Sequence, residues 1–257
     1  MKLDILVLAA HPDDAELSCG GTILSHVAKG KKVGVIDYTQ GELGSNGTVE
    51  TRYAEAARAS AILGLSVREN LKFRDGFFQN DEAHQMAVIR VIRKYQPDII
   101  LANAITDRHP DHAKAANLSR TACFLAGLRK IETFDDSFND SFGAKGQPQQ
   151  EWTTKQFFHY IQSDYIQPDF VVDISDFWEQ KLEAVFAYNT QFYNPANDNL
   201  MNTASNTETV KTFIATPQFL KMLEGRAADL GQGIRCNYGE GFTKVRQLGI
   251  DNLFDIL

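Results

Sequence analysis

A chain of 257 residues is long for one domain and short for two, and its 43% apolar and 11% aromatic content provides for a sizeable buried core. Lys and Arg number 26 against 33 Asp and Glu, and the resulting charge of −7 opposes nucleic-acid binding unless a local basic patch exists. Three scattered cysteines, Cys19, Cys123 and Cys236, are too few for a disulfide framework or a CxxC zinc site and favour a reducing compartment.

Leu3–Ala10 reads as a buried strand. It is far short of the ~20 apolar residues that span a bilayer, and Asp4 would interrupt a signal-peptide core, so a cytoplasmic protein without membrane association is expected. Helical periodicity follows over Glu16–Lys29, ending at Gly30, then a strand over Lys32–Thr39 and a helix over Thr51–Leu63 stopped by Gly64. A short strand at Asn70–Arg74, a helix over Glu82–Tyr95 cut off by Pro97, a strand at Asp98–Asn103 and a helix over His112–Gly127 complete the alternation. Strands separated by helices of this length predict an α/β fold. The expected form is Rossmann-like, a mostly parallel sheet with helices on both faces.

Phe134–Glu151, rich in Asp, Asn, Gly and Gln, reads as a surface loop or flap, after which strand patterns resume at Gln156–Gln162 and Phe170–Ile174. A helix over Ser175–Tyr188, a polar Asn-rich stretch at Asn194–Thr209 and a helix over Val210–Leu230 follow. The tail from Gly231 shows few long patterns. A single domain over 1–257 is expected, with a core to about residue 175 and a C-terminal elaboration from about 176.

The junction between the first strand and first helix carries Ala10-His11-Pro12-Asp13-Asp14-Ala15-Glu16-Leu17. Ligands of open parallel sheets bind at the carboxyl ends of strands, where this octet places three titratable groups. Asp13 or Asp14 could serve only as a helix cap, but a cap needs neither His11 nor a second carboxylate. A second cluster, Asp107-Arg108-His109-Pro110-Asp111-His112, follows the Asp98–Asn103 strand and is expected on the same edge. Three of the six histidines thus fall in or beside two His-Pro-Asp triplets, while His26, His84 and His159 read as structural. Catalytic zinc commonly takes three His or carboxylate ligands and leaves a position for water, and hydrolysis needs a further carboxylate as base. Asp13 and Asp14 can supply one of each, and spacing alone does not divide the roles. No GxGxxG follows the first strand, and neither a P-loop nor a GxSxG elbow is present.

Ala10–Leu17 and Arg108–His112 together resemble the signature of the LmbE-like, PIG-L-type zinc N-deacetylases, which act on N-acetylglucosaminyl compounds. The likeness runs from Leu3 to about Leu128 and resumes at Pro168–Ile174 and Thr190–Tyr193. It implies one Zn2+ held by His11, Asp14 and His112, although His/carboxylate sites also accept other divalent metals. It further implies Asp13 as general base, His109 as acid or oxyanion stabiliser, and Asp111 as a partner orienting a histidine. Within the family, Gly41-Glu42-Leu43-Gly44, Arg52, Arg68-Glu69-Asn70-Leu71 and Asp75-Gly76-Phe77 most resemble the deacetylases of bacillithiol synthesis. The resemblance then implies N-acetylglucosaminyl L-malate as substrate and a homo-oligomer, a hexamer in that family. A dianion needs arginines, and Arg52 and Arg108 are the candidates, with Tyr193 matching a family position near the site. Arg52 has an alternative reading as a helix-face charge near Glu55, and Tyr193 one as a core residue. Rival functions are a deacetylase or amidase acting on another N-acetylhexosamine or thiol conjugate, a non-catalytic Rossmann nucleotide-binding module, and a structural zinc protein.

Overall fold

The computed structural model describes residues 1–135, 146–194 and 210–256. Seven strands form one sheet in the order β3-β2-β1-β4-β5-β7-β6. They are β1 (Ile5–Ala9), β2 (Val33–Thr39), β3 (Val67–Phe73), β4 (Ile99–Ala102), β5 (Gln156–Tyr160), β6 (Phe170–Asp173) and β7 (Gly239–Lys244). The helices are α1 (Asp14–Ala28), α2 (Val49–Leu63), α3 (Glu82–Tyr95), α4 (Pro110–Ala126), α5 (Trp178–Phe186) and α6 (Pro217–Gly233). None is long and apolar enough to cross a membrane, among the described residues.

Successive residues of β1 point to opposite faces, so a fully apolar strand feeds two cores. Leu6 and Leu8 join a cluster with Ile89 and Ile92 of α3 and Leu118 of α4. Ile5 and Val7 join another with Ile23 and Leu24 of α1 and Ala184 of α5. Helices α3 and α4 thus cover one face, and α1, α2 and α5 the other. The chain winds outward from β1 to β2 and β3, then returns to place β4 on the other side of β1. Strands β1 and β4 pair in parallel, from Ile5 opposite Ile99 to Leu8 opposite Ala102. Their carboxyl ends flank the point where the winding reverses, the place in such sheets where a crevice opens.

The expected α/β class and mostly parallel sheet are present, and the expected helix over Glu82–Tyr95 has those bounds. Gly64 ends α2 in the left-handed conformation, φ 67°, that glycine adopts without penalty. Two C-terminal expectations need correction. The helix expected over Val210–Leu230 begins only at Pro217, because Thr216 caps it by accepting from the Phe219 amide and Pro217 occupies its first turn. The tail from Gly231 contributes β7, which inserts antiparallel between β5 and β6. Its sequence, GEGFTK, has little strand propensity, and the reason is packing. A Cβ on Gly239 would meet Gly231 N at 3.0 Å, and one on Gly241 would meet a Leu230 methyl at 3.2 Å, so both glycines let α6 approach. Glu240 between them serves the opposite face.

That face holds α1, which is broken at Cys19 (φ −143°, ψ 20°). The break frees the amides of Gly21 and Thr22, which donate to Glu240 at 3.0 and 2.7 Å. Lys181 of α5 donates to the same carboxylate at 2.6 Å, and both side chains are buried. Glu240 thereby anchors the start of the second half of α1, while the first half carries Asp14. Of the flap expected at Phe134–Glu151, Phe134 bridges Pro148, and 136–145 lie outside the described residues, as do 195–209 of the polar stretch.

Candidate active site

The loop from β1 to α1 and the loop from β4 to α4 bring His11, Asp13, Asp14, His109 and His112 into one cavity of about 620 Å³. His11 and His109 meet edge to face with ring centres 4.7 Å apart, and His109 stacks on His112 at 5.0 Å. The sheet register makes this proximity unavoidable, since both loops leave adjacent parallel strands at the same edge.

Asp14 is the hub. Nδ1 of His11 lies 3.6 Å from one of its oxygens and Nε2 of His112 lies 3.1 Å from the other. The carboxylate also accepts from the His11 amide at 2.9 Å, from Asn103 at 3.0 Å and from Gln162 at 3.0 Å. Burial alone would raise its pKa, but His112 and His11 hold it well below the usual carboxylate range. The far nitrogen of each histidine is held by another carboxylate. His11 Nε2 is 3.1 Å from Asp75 and 3.5 Å from Asp111, and His112 Nδ1 is 2.8 Å from Asp107. Carboxylates on those nitrogens turn His11 Nδ1 and His112 Nε2 toward Asp14, the orientation in which both could ligate a metal once deprotonated. Two imidazoles and a carboxylate so arranged fit a divalent metal, the donor set of open catalytic zinc sites. The groupings whose donor atoms all lie within 4.8 Å of one another, among the described residues, are His11, His109 and His112, and His11, Asp75 and Asp111; Asp14 joins the two histidines through the pairwise contacts above.

Asp111 is fully buried and also accepts from the Gly76 amide at 2.7 Å and from Lys114 at 2.8 Å. It therefore orients His11 from a fixed position. His109 caps α4 with Nδ1 accepting from the Asp111 amide at 3.3 Å, which places the ring proton on Nε2. Burial, then the neighbouring His11 and His112, lower its pKa, so a neutral Nε2–H donor lines the cavity.

Asp13 occupies the cap position of α1 yet makes no cap hydrogen bond. Its φ of 116° is an uncommon conformation for any residue but glycine, a strain typical of positions serving function rather than stability. The carboxylate instead accepts from Arg52 at 3.1 Å, and the same guanidinium nitrogen donates to the Pro12 carbonyl at 2.8 Å. Burial pushes the Asp13 carboxyl up to about 7, against the pull of Arg52.

Arg52 is thus buried against the loop from β1 to α1 and not paired with Glu55, which accepts from the Thr190 amide and hydroxyl. Arg108 is exposed and lines the cavity. Tyr193 is half-buried beside Phe192, outside the cavity's described lining. His26 and His84 bond locally to Thr22 and Asp81, and His159 bonds the Asn103 carbonyl across the sheet; none of the three is in the cavity lining.

Sequence reasoning assigned no role to Asp75, Asn103, Asp107, Gln162 or Arg226. Asp107 opens the second cluster and Asp75 sits in a quoted motif, so proximity to histidine-rich segments was a usable signal for both. Asn103 and Gln162 follow β4 and β5 at the same sheet edge, which becomes informative only once the strand order is known. Arg226, on α6, reaches the cavity from more than a hundred residues away and had no local signal.

A doubly wound sheet with two histidines and a carboxylate gathered at its switch point, and a second carboxylate held alongside by Arg52, suits a metal-dependent hydrolase. The sequence profile of the PIG-L family, described as GlcNAc-PI de-N-acetylase, matches residues 6–123. Diacetylchitobiose deacetylase of Thermococcus kodakarensis is 30% identical over 198 residues, covering 73% of this chain and 70% of that one. A conserved protein of Thermus thermophilus superposes with a TM-score of 0.78 at 32% identity, covering 97% of this chain and 98% of the other. The 4-carboxy-2-hydroxymuconate hydratase GalB of Pseudomonas putida shares the fold, with a TM-score of 0.71 at 20% identity and coverage of 98% and 100%. The chain belongs to the PIG-L family and is a metal-dependent N-deacetylase.

Proposed function

We propose that this enzyme hydrolyses the acetamide of an N-acetylglucosaminyl conjugate, with zinc as its metal and His11, Asp14 and His112 as the ligands. Water adds to the acetyl carbonyl, the C–N bond breaks, and acetate and the sugar amine leave. The observation that carries this reading is the division of labour between adjacent aspartates: Asp14 faces two histidines, whereas Asp13 faces Arg52 and the cavity. A dication at the first would polarise the carbonyl and acidify a water. Asp13 takes that water's proton. Burial raises the Asp13 carboxyl above the ordinary range, so it takes up a proton more readily than an exposed carboxylate and can return it to the departing amine. His109 donates through Nε2 to the carbonyl oxygen as negative charge develops there.

The sequence resemblance favours malate as the group attached to the sugar. Two guanidinium groups in the cavity lining, Arg108 and Arg226, are without a carboxylate partner among the described residues and support that choice. Asp13→Ala should abolish acetate release while zinc content, measured by elemental analysis, stays near one per chain; loss of metal instead would reverse the assignment of base and ligand. Comparing N-acetylglucosaminyl malate with N-acetylglucosamine tests the substrate, and equal kcat/KM values for the two would remove malate.

A further inference from the structure

The octet after β1 and the Arg68-Glu69-Asn70-Leu71 motif hold two charged residues to which the reaction gives no part, Glu16 and Arg68. The fold brings them together. Arg68 of β3 reaches across to β2, where its Nε and Nη2 donate to the two oxygens of Asp37 at 2.7 and 2.9 Å. Its Nη1 donates to Glu16 at 2.5 Å, and the Tyr188 hydroxyl donates to the same Glu16 oxygen at 3.2 Å. Glu16, Asp37 and Tyr188 are buried, and the Arg68 side chain is 9% exposed. The other Glu16 oxygen is buried with no partner among the described residues, and none of the four residues lines the cavity. Two carboxylates thus share one guanidinium. Neutral side chains of like volume often match such a cluster in stability, so stability alone is a poor reason for it.

Glu16 stands three residues after Asp13 and two after Asp14, on the first turn of α1, which Leu17 closes by donating to the Asp13 carbonyl at 3.0 Å. The break at Cys19 leaves only Asp14–Ser18 in that segment, too few residues for helical hydrogen bonds to fix its place. Asp13, at φ 116° and without a cap hydrogen bond, keeps its conformation only where its surroundings over-determine it. Arg52 grips the turn at Pro12 and Asp13, and Arg68 grips it through Glu16. We infer that Glu16 and Arg68 are positioning residues, which tie the turn carrying Asp13 and Asp14 to the β2–β3 half of the sheet and so hold base and ligand in register. This inference deepens the deacetylase reading and rests on it for the roles of the two aspartates.

The deciding variant is the triple Glu16→Gln, Asp37→Asn, Arg68→Met, which removes all three charges at nearly constant volume and should keep a Tm close to that of the parent. In the full-length, zinc-loaded enzyme, kcat for acetate release from N-acetylglucosaminyl malate should fall at least about tenfold with KM little changed, because a reacting group is misplaced while no residue of the cluster borders the cavity. Zinc Kd, read by chelator competition, should rise at least about tenfold. Parent-like kcat and zinc Kd in the folded triple variant, or a rise in KM alone, would overturn the positioning role. Glu16→Gln by itself keeps an acceptor for Tyr188 and should move kcat and zinc Kd in the same directions, so it decides the question if the triple variant does not fold. If the parent releases no acetate while the variants still lose zinc affinity, the deacetylase reading fails and the positioning role stands.

Discussion

The buried pair formed by Lys181 and Glu240 tests how α1 is held. Glu240→Gln leaves the Lys181 ammonium, 2% exposed, without its counter-charge and weakens the acceptor for two helix amides. Removing one partner of a buried pair costs about 3–5 kcal/mol. For a chain of this size each kcal/mol moves Tm by about 2–4 °C, so Tm should drop by about 6–20 °C. Lys181→Met should cost less, because Glu240 retains its hydrogen bonds at 3.0 and 2.7 Å from Gly21 and Thr22. It also stays at the positive end of the second half of α1. The double variant carries no unpaired charge and should be more stable than Glu240→Gln alone, a coupling that a double-mutant cycle by urea unfolding would read directly. A Glu240→Gln protein within about 1 kcal/mol of the parent, or strictly additive effects, would refute the account of the α1 break.

Two further expectations concern the site and two the packing. Arg52→Met should lower kcat by about tenfold to a hundredfold with little change in KM, since Arg52 fixes the Asp13 carboxylate and misplacement of a reacting group is costly; steady-state kinetics showing mainly a KM rise would make it a substrate contact. Asp107→Ala removes the acceptor from His112 Nδ1 and should weaken zinc binding about 10–100-fold in a chelator competition. Gly21→Ala drives a methyl to within 2.6–2.8 Å of Ile174 and should destabilise by about 1–3 kcal/mol. Gly225→Ala, in open space within α6, should stabilise by about 0.5–1 kcal/mol, so thermal melts of the two should move in opposite directions.

Much of this site was legible because its chemistry is concentrated in two short segments that each follow an apolar strand. An unbroken run from Ile5 to Ala9 can only be a strand buried on both faces, and the polar octet after it must emerge at the sheet edge. Histidine and aspartate side by side at that edge already implied metal or acid–base chemistry. Patterning could not show that Arg52 reaches back 39 residues to Asp13, because a charge on a helix of low amphipathicity has no local sign of burial. The same holds for β7, whose glycines answer to a helix they do not touch until the sheet is assembled.

The sequence by itself determined the fold class, the parallel half of the sheet and the two His-Pro-Asp segments, since these follow from periodicity and composition within windows of about ten to fifteen residues. Tertiary structure alone decided which residues surround them. Strand order set β4 beside β1 and so joined the two segments. It supplied Asp75 and Asp107 as orienting partners, Gln162 and Asn103 as donors to Asp14, and the α6 wall of the cavity. Each of these contacts joins positions far apart along the chain or depends on a loop conformation. Charge and length, read alone, gave an acidic chain with a core of one domain's size, and the folded arrangement turned that chain into a polar reaction centre at one edge of its sheet.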